Sequence, residues 1–247
     1  MLRELKNLFA FLTIFPFRMD ENCLSDSARF MFLFPLVGAI VGLLAGLVGW
    51  LLYFSLPSLI VGGLVFGVLL LFTGLHHTDG LLDFGDGIMA QGTADRKIEI
   101  MHDQFTGAGG LSLGILTFLI SALAISEFGQ STIVQSVVVA EIAAKLSMVI
   151  GCWAGKSVHK GMNSPFLDVM HGKKGTVILV AALAISFGIA VPLLQLPGAV
   201  VVLVALLTSF TMVAISHRHF KCITGDVLGA TNEITRMVAL VALVAMV

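Results

Sequence analysis

Charged side chains are scarce in this chain. Of its 247 residues only 12% are Asp, Glu, Lys or Arg, whereas 57% are hydrophobic, and the formal net charge is −1. With a mean hydropathy of +1.02, the composition excludes an ordinary soluble globular domain and indicates an integral membrane protein. A net charge so close to zero gives no support for a nucleic-acid partner, and we expect none.

Cysteine is also rare, which limits the role of disulfides and of thiolate metal sites. The three cysteines are Cys23, Cys152 and Cys222. They form no CxxC pair and no spacing typical of metal ligands, so we expect free structural thiols.

Long apolar runs make up most of the chain. A helix needs about 20 mostly apolar residues to cross the hydrocarbon core of a bilayer. Such runs lie at 30–56, 58–75, 111–127, 132–155, 176–194, 198–215 and 227–247. We therefore predict an all-α fold, in which residues 1–247 form a single membrane domain, a polytopic helix bundle of about seven transmembrane helices. The alternation of Arg3, Glu4 and Lys6 with leucines predicts an additional N-terminal amphipathic helix at the membrane interface.

A stripe of small residues marks the first apolar run. Gly38, Gly42, Gly46 and Gly49 recur at spacings of three or four. This spacing places the glycines on one helix face, and we expect close packing of that face against another helix.

The basic residues are distributed unevenly between the two sides of the predicted bundle. The short connections near 57, 127–131 and 195–198 contain no Lys or Arg. The other side holds Arg3, Lys6, Arg18, Arg29, Arg96, Lys97, Lys156, Lys160, Lys173, Lys174, Arg218 and Lys221. The positive-inside rule then predicts a multi-pass protein of the cell membrane, with its N-terminus and its polar segments in the cytoplasm.

Three aspartates follow the second apolar run directly. Asp79, Asp83 and Asp86 are spaced at i, i+4 and i+7, so on a helix they project from one face. Three mutually repelling acids need a cation, and hard oxygen ligands favour Mg²⁺, which keeps several waters and binds substrate phosphates at its other positions. The stripe predicts phosphate chemistry at the membrane edge.

Further candidate residues lie in the same polar segment and at the start of the last apolar run. Asp103 precedes a glycine-rich turn whose backbone N–H groups could approach an anion. Asp226 and Glu233, seven residues apart, would share a helix face. For Glu233 an ion pair with Arg236 at i, i+3 is the alternative reading.

Lys145 lies inside the fourth apolar run, four residues after Glu141. The two side chains are in the favourable order for an internal ion pair, which would neutralise both. An intramembrane lysine is nevertheless costly, and it could instead face an anionic phosphate across the bundle. The sequence leaves both readings open.

Several of these segments together resemble the cobalamin synthase family, the adenosylcobinamide-GDP ribazoletransferases. The resemblance lies in the HxDG-xxx-D-xx-DG pattern of residues 77–87, and also in Phe11–Pro16, Phe34–Gly38, Asp103–Gly110 and Thr224–Ala230, which occur in the family's order. It covers nearly the whole chain. One departure is that the family often has Arg where this chain has His102 and Lys145, and Lys does not reproduce the bidentate phosphate contact of Arg.

The resemblance implies a transferase of vitamin B12 synthesis. The corrinoid substrate would be adenosylcobinamide-GDP, and the acceptor α-ribazole or its 5′-phosphate, with adenosylcobalamin or its 5′-phosphate and GMP as products. The resemblance also implies Mg²⁺ as the cofactor, and it assigns the metal ligands as Asp79, Asp83, Asp86, Asp226 and Glu233. It makes His77, Asp103 and Lys145 catalytic candidates, although His77 could equally orient a carboxylate, and an aspartate could be the base.

Two other classes of function compete with this reading. The first is another Mg²⁺-dependent membrane transferase that acts on a lipid pyrophosphate, but the DG-xx-AR and NxxxD signatures of such enzymes are absent around Asp79. The second is a cation-coupled transporter, whose acids should lie near the membrane midplane. As partners we expect the small-molecule substrates and the lipid bilayer, with other corrinoid enzymes or a homo-oligomer as additional candidates.

Overall fold

A computed structural model describes residues 2–15, 21–156, 161 and 163–246. Within these residues the chain is all-helical, as predicted, and has no β-strand. The α-helices are α1 (Leu2–Leu12), α2 (Cys23–Arg29), α3 (Phe34–Leu52), α4 (Ser58–Phe72), α5 (His76–Met89), α6 (Ala94–Met101), α7 (Ala108–Ser126), α8 (Ile133–Ala154), α9 (Ser164–His171), α10 (Gly175–His219) and α11 (Gly225–Val244). A single 3₁₀ turn, Met31–Leu33, leads into α3. Pro16, Arg18 and Lys160, which the sequence singled out, lie outside the described residues.

Helix α8 forms the centre of the bundle. Every residue from Ser136 to Cys152 is buried, because α3, α10 and α11 pack around this helix. The contact with α3 uses the predicted glycine stripe. A Cβ at Gly42 would lie 2.7 Å from the Cα of Val138, and a Cβ at Gly46 would lie 2.8 Å from the Cα of Val134. The glycines therefore allow the backbones of α3 and α8 to approach closely, which confirms the predicted packing of this helix face.

Helix α10 folds back on itself. Its Gln195 has non-helical backbone angles (φ 53°, ψ −123°), and Pro197 follows two residues later. A Cβ at Gly198 would overlap the carbonyl group of Ala190, although residues eight apart in a straight helix are separated by about 12 Å along the axis. The arms 175–194 and 196–219 thus form a helical hairpin that matches two of the predicted apolar runs.

The number of membrane crossings agrees with the predicted value of about seven. Five helices are long and apolar enough to cross: Met31–Leu52, Ala108–Ser126, Ile133–Ala154, Gly175–His219 and Gly225–Val244. Helix α4 meets the same condition only together with α5, from which it is bent by 97°. The described residues therefore contain five candidate spans, or six with the bent pair of α4 and α5, and one more when the two arms of α10 are counted separately, so the predicted count of seven is approximate.

The polar connections meet at one end of the bundle. The backbone amide of Ile223 donates a 2.8 Å hydrogen bond to the carbonyl of Lys156, and Lys97 Nζ lies 3.1 Å from His219 Nδ1. The connections that lack basic residues contact each other at the opposite end. The structure therefore has a basic end, which carries the polar segments, and a neutral end.

Candidate active site

Helix α5 carries the predicted stripe of aspartates at the basic end. Gly74 and Leu75 both have left-handed backbones (φ 66° and 63°), and the chain bends there by 97° between α4 and α5. After this bend α5 lies across the first turns of α7 and α11, so we place it outside the membrane-spanning segments. Asp79, Asp83 and Asp86 lie within one helix, as their spacing predicted.

Glycines of α5 bring it directly onto the starts of two other helices. A Cβ at Gly80 would lie 2.9 Å from the Cα of Asp226 on α11. A Cβ at Gly85 would lie 2.8 Å from the Cα of Gly110 on α7. Since real side chains are not tolerated at such distances, glycine at both positions is what allows α5 to meet α7 and α11 in one place.

The first turn of α11 presents Asp226 to this junction. Thr224 caps the helix, because its Oγ1 accepts a 3.2 Å hydrogen bond from the amide of Val227. The same hydroxyl donates to Asp226 Oδ2 at 3.3 Å. The cap thereby starts the helix and holds the aspartate side chain in position.

Asp79, Asp83 and Asp226 form what we call the carboxylate cluster. Burial, together with the neighbouring charges of Asp79, Asp226 and Asp86, raises the pKa of Asp83 to about 7. In the described part of the chain none of these acids forms an ion pair with Lys or Arg; the nearest cation candidate is His102, whose Nε2 lies 3.8 Å from Asp226 Oδ2. The cluster is thus strongly negative and poorly compensated.

Asp86, the third acid of the stripe, is bonded to the start of α7. Its Oδ2 accepts a 2.6 Å hydrogen bond from the amide of Gly107, and its Oδ1 accepts a 2.8 Å bond from the amide of Gly110. Both oxygens therefore satisfy N–H groups that the first turn of a helix leaves without intrahelical partners. The sequence predicted that this glycine-rich turn could bind an anion, and in the structure that anion is the carboxylate of Asp86.

Asp103 lies at the edge of the same site. It is exposed and follows His102, and its side chain makes no hydrogen bond or ion pair with the residues that the structure describes. Of the three predicted catalytic residues, His77 and Lys145 are buried, and Asp103 is the one whose side chain is exposed.

The residues at the junction suit a hydrated divalent cation. Across the described ranges, no three His, Cys, Asp or Glu side chains are grouped closely enough to hold a metal by protein ligands alone. Mg²⁺ does not need such a group, since it usually binds one or two carboxylates and completes its shell with waters and phosphate oxygens. The uncompensated oxygen donors of the carboxylate cluster match this chemistry.

His77 is placed away from the carboxylates. It is 6% exposed, and a Cβ at Gly229 of α11 would lie 3.2 Å from the Cα of His77. Its Nδ1 is buried without a hydrogen-bond partner in the described chain, and Lys145 and Arg236 are within electrostatic reach of the ring. His77, which the resemblance made a catalytic candidate, thus packs against α11 with its ring buried.

A buried polar network lies beneath the site, between α8 and α11. Its members, all at most 1% exposed, are Glu141, Lys145, Asn232, Glu233 and Arg236. Arg236 pairs with Glu141 and with Glu233. Lys145 Nζ lies 3.6 Å from Glu141 and donates a 2.7 Å hydrogen bond to Asn232, whose Nδ2 donates to Glu233 at 3.0 Å. The two acidic and two basic side chains, joined through Asn232, form a closed ring of contacts that carries no net charge.

Two of the residues that the sequence predicted for the site, Glu233 and Lys145, belong to this network. Glu233 has one oxygen on Asn232 and the other on Arg236, and Lys145 is bonded to Glu141 and Asn232. The structure therefore brings Asp79, Asp83 and Asp226 together but places Glu233 and Lys145 in the buried network.

One feature of the site was not recognised from the sequence. Lys97, Arg218, His219 and Lys221 form what we call the basic cluster, in which Lys97 Nζ contacts His219 Nδ1 at 3.1 Å and both other cations act electrostatically on His219. Lys97 lies on α6, and the other three residues lie at or just after the end of α10, 121 or more positions later in the chain. In the sequence, only the charged run of residues 217–221 indicated such a cluster. Lys221 has a left-handed backbone (φ 63°), which is unusual for lysine.

Comparisons with known proteins identify a family and several similar chains. The model of the family described as "Cobalamin-5-phosphate synthase" matches residues 4–244. An adenosylcobinamide-GDP ribazoletransferase of Methanocella arvoryzae is 35% identical, covering 97% of this chain and 94% of the relative. Proteins of the same name from Thermococcus kodakarensis (32% identical; 97% of each chain) and Methanococcoides burtonii (31%; 98% of this chain and 92% of the relative) are also similar. No solved structure matches.

Proposed function

This chain belongs to the cobalamin-5-phosphate synthase family, and we propose that the carboxylate cluster is the place where it carries out the family's transfer reaction. The reaction is the ribazoletransferase step of cobalamin synthesis, which completes the nucleotide loop. Its substrates are small molecules, a corrinoid and a ribazole, and the enzyme that joins them is a multi-pass membrane protein.

The chemistry is a displacement at phosphorus. A hydroxyl oxygen of α-ribazole, or of its 5′-phosphate, bonds to the phosphorus attached to the corrinoid arm of adenosylcobinamide-GDP. The bond from that phosphorus to the bridging oxygen breaks, and GMP leaves with this oxygen. The hydroxyl proton goes to a base. Because both the diphosphate and the leaving GMP are anionic, the site must neutralise negative charge.

The observation that carries the proposal is the convergence of acids from two helices without a matching cation. Asp79 and Asp83 come from α5 and Asp226 from α11, and Gly80 holds the two backbones in contact. Carboxylates at a membrane edge are costly unless they bind something. We therefore assign these three residues to Mg²⁺, bound directly or through its waters.

When bound, Mg²⁺ would neutralise the diphosphate oxygens and the charge that develops on the leaving phosphate. The protein residues around the cluster have separate tasks. Asp86 holds the start of α7 against α5 through Gly107 and Gly110, and so keeps the glycine-rich turn at the edge of the site. We assign the role of accepting the hydroxyl proton to Asp103, because its side chain is exposed and it directly follows His102, which lies beside Asp226.

The basic cluster supplies positive charge for the phosphate of the leaving nucleotide. Helix α6 joins it to the carboxylate cluster, since Lys97 contacts His219 and His102 lies beside Asp226. The two contacts are five residues apart on or next to α6, which corresponds to about 7.5 Å of helix rise. We place the corrinoid-side phosphate of the diphosphate over the carboxylates and its nucleotide side towards Lys97.

His77, Lys145 and Glu233 have supporting roles in this proposal. His77 packs α5 on α11, and the buried network that contains Lys145 and Glu233 holds α8 against α11 beneath the carboxylates. These residues act on the position of Asp226 rather than on the substrates.

The basic end of the bundle carries the site, and the positive-inside rule supports a cytoplasmic location for that end. An active site on this side of the cell membrane would be open to water-soluble corrinoid and ribazole substrates. Labelling of a single exposed cysteine introduced at Lys221 in intact and permeabilised cells would test the orientation.

The central test compares two isosteric variants of purified protein reconstituted in liposomes. Asp83→Asn removes one acid of the cluster, whereas Asp95→Asn removes an exposed acid in the first turn of α6. Turnover is followed by GMP and the cobalamin product together, with adenosylcobinamide-GDP, α-ribazole or its 5′-phosphate, and Mg²⁺. We expect Asp83→Asn to lose at least a hundredfold in rate and Asp95→Asn to stay within twofold. Equal rates for the native protein and Asp83→Asn would refute the assignment of the site.

A further inference from the structure

A cavity with both charged and apolar walls lies at the basic end, bounded by α1, α2, α9 and the start of α10. Its volume is about 670 Å³. The carboxylate cluster does not line it, and neither does the basic cluster. The cavity therefore belongs to no part of the transfer site described above.

Cations are in excess on the walls of this cavity. The basic residues that line it are Arg3, Arg29, Lys173 and Lys174, and the acidic ones are Glu4, Asp26 and Asp168. Arg3 is engaged, since its guanidinium lies 3.5 Å from Asp26 and 3.7 Å from Glu4. Arg29, Lys173 and Lys174 are exposed and form no ion pair with any described residue, and in total the four cations of the lining exceed its three acids by one charge.

Apolar side chains continue the cavity towards the membrane. Phe30, Val169 and Ile178 line it together with the cations. Ile178 is one turn inside α10, in the spanning arm 175–194, whereas Lys173 and Lys174 immediately precede that arm. The cavity thus joins a cationic rim at the membrane surface to an apolar wall at the level where acyl chains begin.

We propose that this cavity binds an anionic phospholipid, with the phosphate at Arg29, Lys173 and Lys174 and the first part of an acyl chain along Phe30, Val169 and Ile178. The combination of the two surfaces selects this occupant. A water-soluble phosphate would use the cations but leave the apolar wall uncovered, whereas a zwitterionic lipid would leave the excess positive charge unmatched. Basic pockets between helices at the cytoplasmic membrane surface are suited to acidic lipid headgroups.

The test measures lipid binding to the full-length protein rather than its activity, so its result does not depend on the proposed transfer function. Delipidated protein in detergent is titrated with phosphatidylglycerol or phosphatidylcholine, and bound lipid is counted by native mass spectrometry. The test variant carries Arg29→Gln, Lys173→Gln and Lys174→Gln. The matched control carries Lys6→Gln, Arg96→Gln and Lys156→Gln, which change the net charge equally but do not line the cavity.

We expect one phosphatidylglycerol to bind with at least tenfold preference over phosphatidylcholine. The test variant should lose this preference, and the control should keep its affinity within twofold. Equal loss in both variants would overturn the proposal in favour of general surface attraction, and retention in the test variant would overturn it outright. Competition by millimolar inorganic phosphate would instead indicate a site for a free anion. Thermal denaturation of each variant shows whether it is folded.

Discussion

Gly80 lies directly against the backbone of Asp226: a Cβ added to Gly80 would come within 2.9 Å of both the Cα and the carbonyl oxygen of Asp226. This contact joins α5 to α11 and brings acids from two distant segments together. The glycine of the Asp79-Gly80 pair is therefore a packing residue within a helix rather than a turn residue.

Substitution of Gly80 should separate the two halves of the carboxylate cluster. We expect Gly80→Ala to lower kcat at least tenfold and to raise the Mg²⁺ concentration needed for half-maximal activity, because α5 must move away from Asp226. Gly67→Ala on α4 is the matched control, since a Cβ there meets nothing within 4 Å. Steady-state kinetics with varied Mg²⁺ make the comparison, and unchanged kinetics in Gly80→Ala would contradict it.

Two neighbouring aspartates should affect stability in opposite directions. Asp86→Ala leaves the amides of Gly107 and Gly110 without acceptors, which should cost about 1–3 kcal/mol and lower Tm. Asp83→Asn removes a repelling charge, so Tm should stay level or rise in metal-free buffer while activity is lost. A lower Tm for Asp83→Asn than for Asp86→Ala would contradict the view that Asp86 stabilises the fold whereas Asp83 does not.

The stability of the metal-free protein should depend on pH through Asp83. Its pKa in the folded protein is raised from the ordinary value of 3.8 to about 7, so the folded state holds this proton more strongly than the unfolded state. The contribution of Asp83 to stability is therefore greatest at low pH and should fall as pH rises from about 4 to about 7. The slope of Tm against pH should be smaller in Asp83→Asn. A slope identical to that of the native protein would show that Asp83 is not the group responsible.

The buried network should behave as one unit. Lys145→Met alone leaves an excess of acid among fully buried groups and should destabilise by about 3–5 kcal/mol. Adding Glu233→Gln restores neutrality, so the double variant should be more stable than the sum of the two single effects. Unfolding in mixed detergent, measured over the complete double-mutant cycle, gives the coupling. Strict additivity would mean that the two residues are independent.

The basic cluster should act on the affinity for the nucleotide substrate. Lys97→Gln should raise KM for adenosylcobinamide-GDP about tenfold and weaken product inhibition by GMP, with a smaller effect on kcat. Arg96→Gln is the control, because Arg96 pairs at 2.6 Å with Glu99 on the exposed face of α6. An equal change of KM in both variants would point to general attraction rather than to a phosphate contact.

Much of the fold could be predicted because it depends on local sequence. Hydropathy over about 20 residues defines the spans, and the spacing of Gly38, Gly42 and Gly46 defines a packing face. The i, i+4, i+7 spacing of Asp79, Asp83 and Asp86 likewise determines one helix face without reference to the rest of the chain.

The roles of individual charges could not be predicted in the same way. For Glu233 the sequence left two readings open, a metal ligand like Asp226 or an ion pair with Arg236, and the structure shows the ion pair, whereas Asp226 faces Asp83. Lys145 could have faced a phosphate, but it bonds to Asn232, which is 87 positions away.

The sequence by itself thus determined the membrane setting, the helices and the helix face that carries three aspartates. Only the tertiary structure decided which acids lack a compensating cation, because a charge is neutralised by whatever lies within a few ångströms, and in this bundle several of those neighbours come from distant segments. Asp86 illustrates the point: its helix position was evident from the sequence, but its two backbone partners on α7 were not.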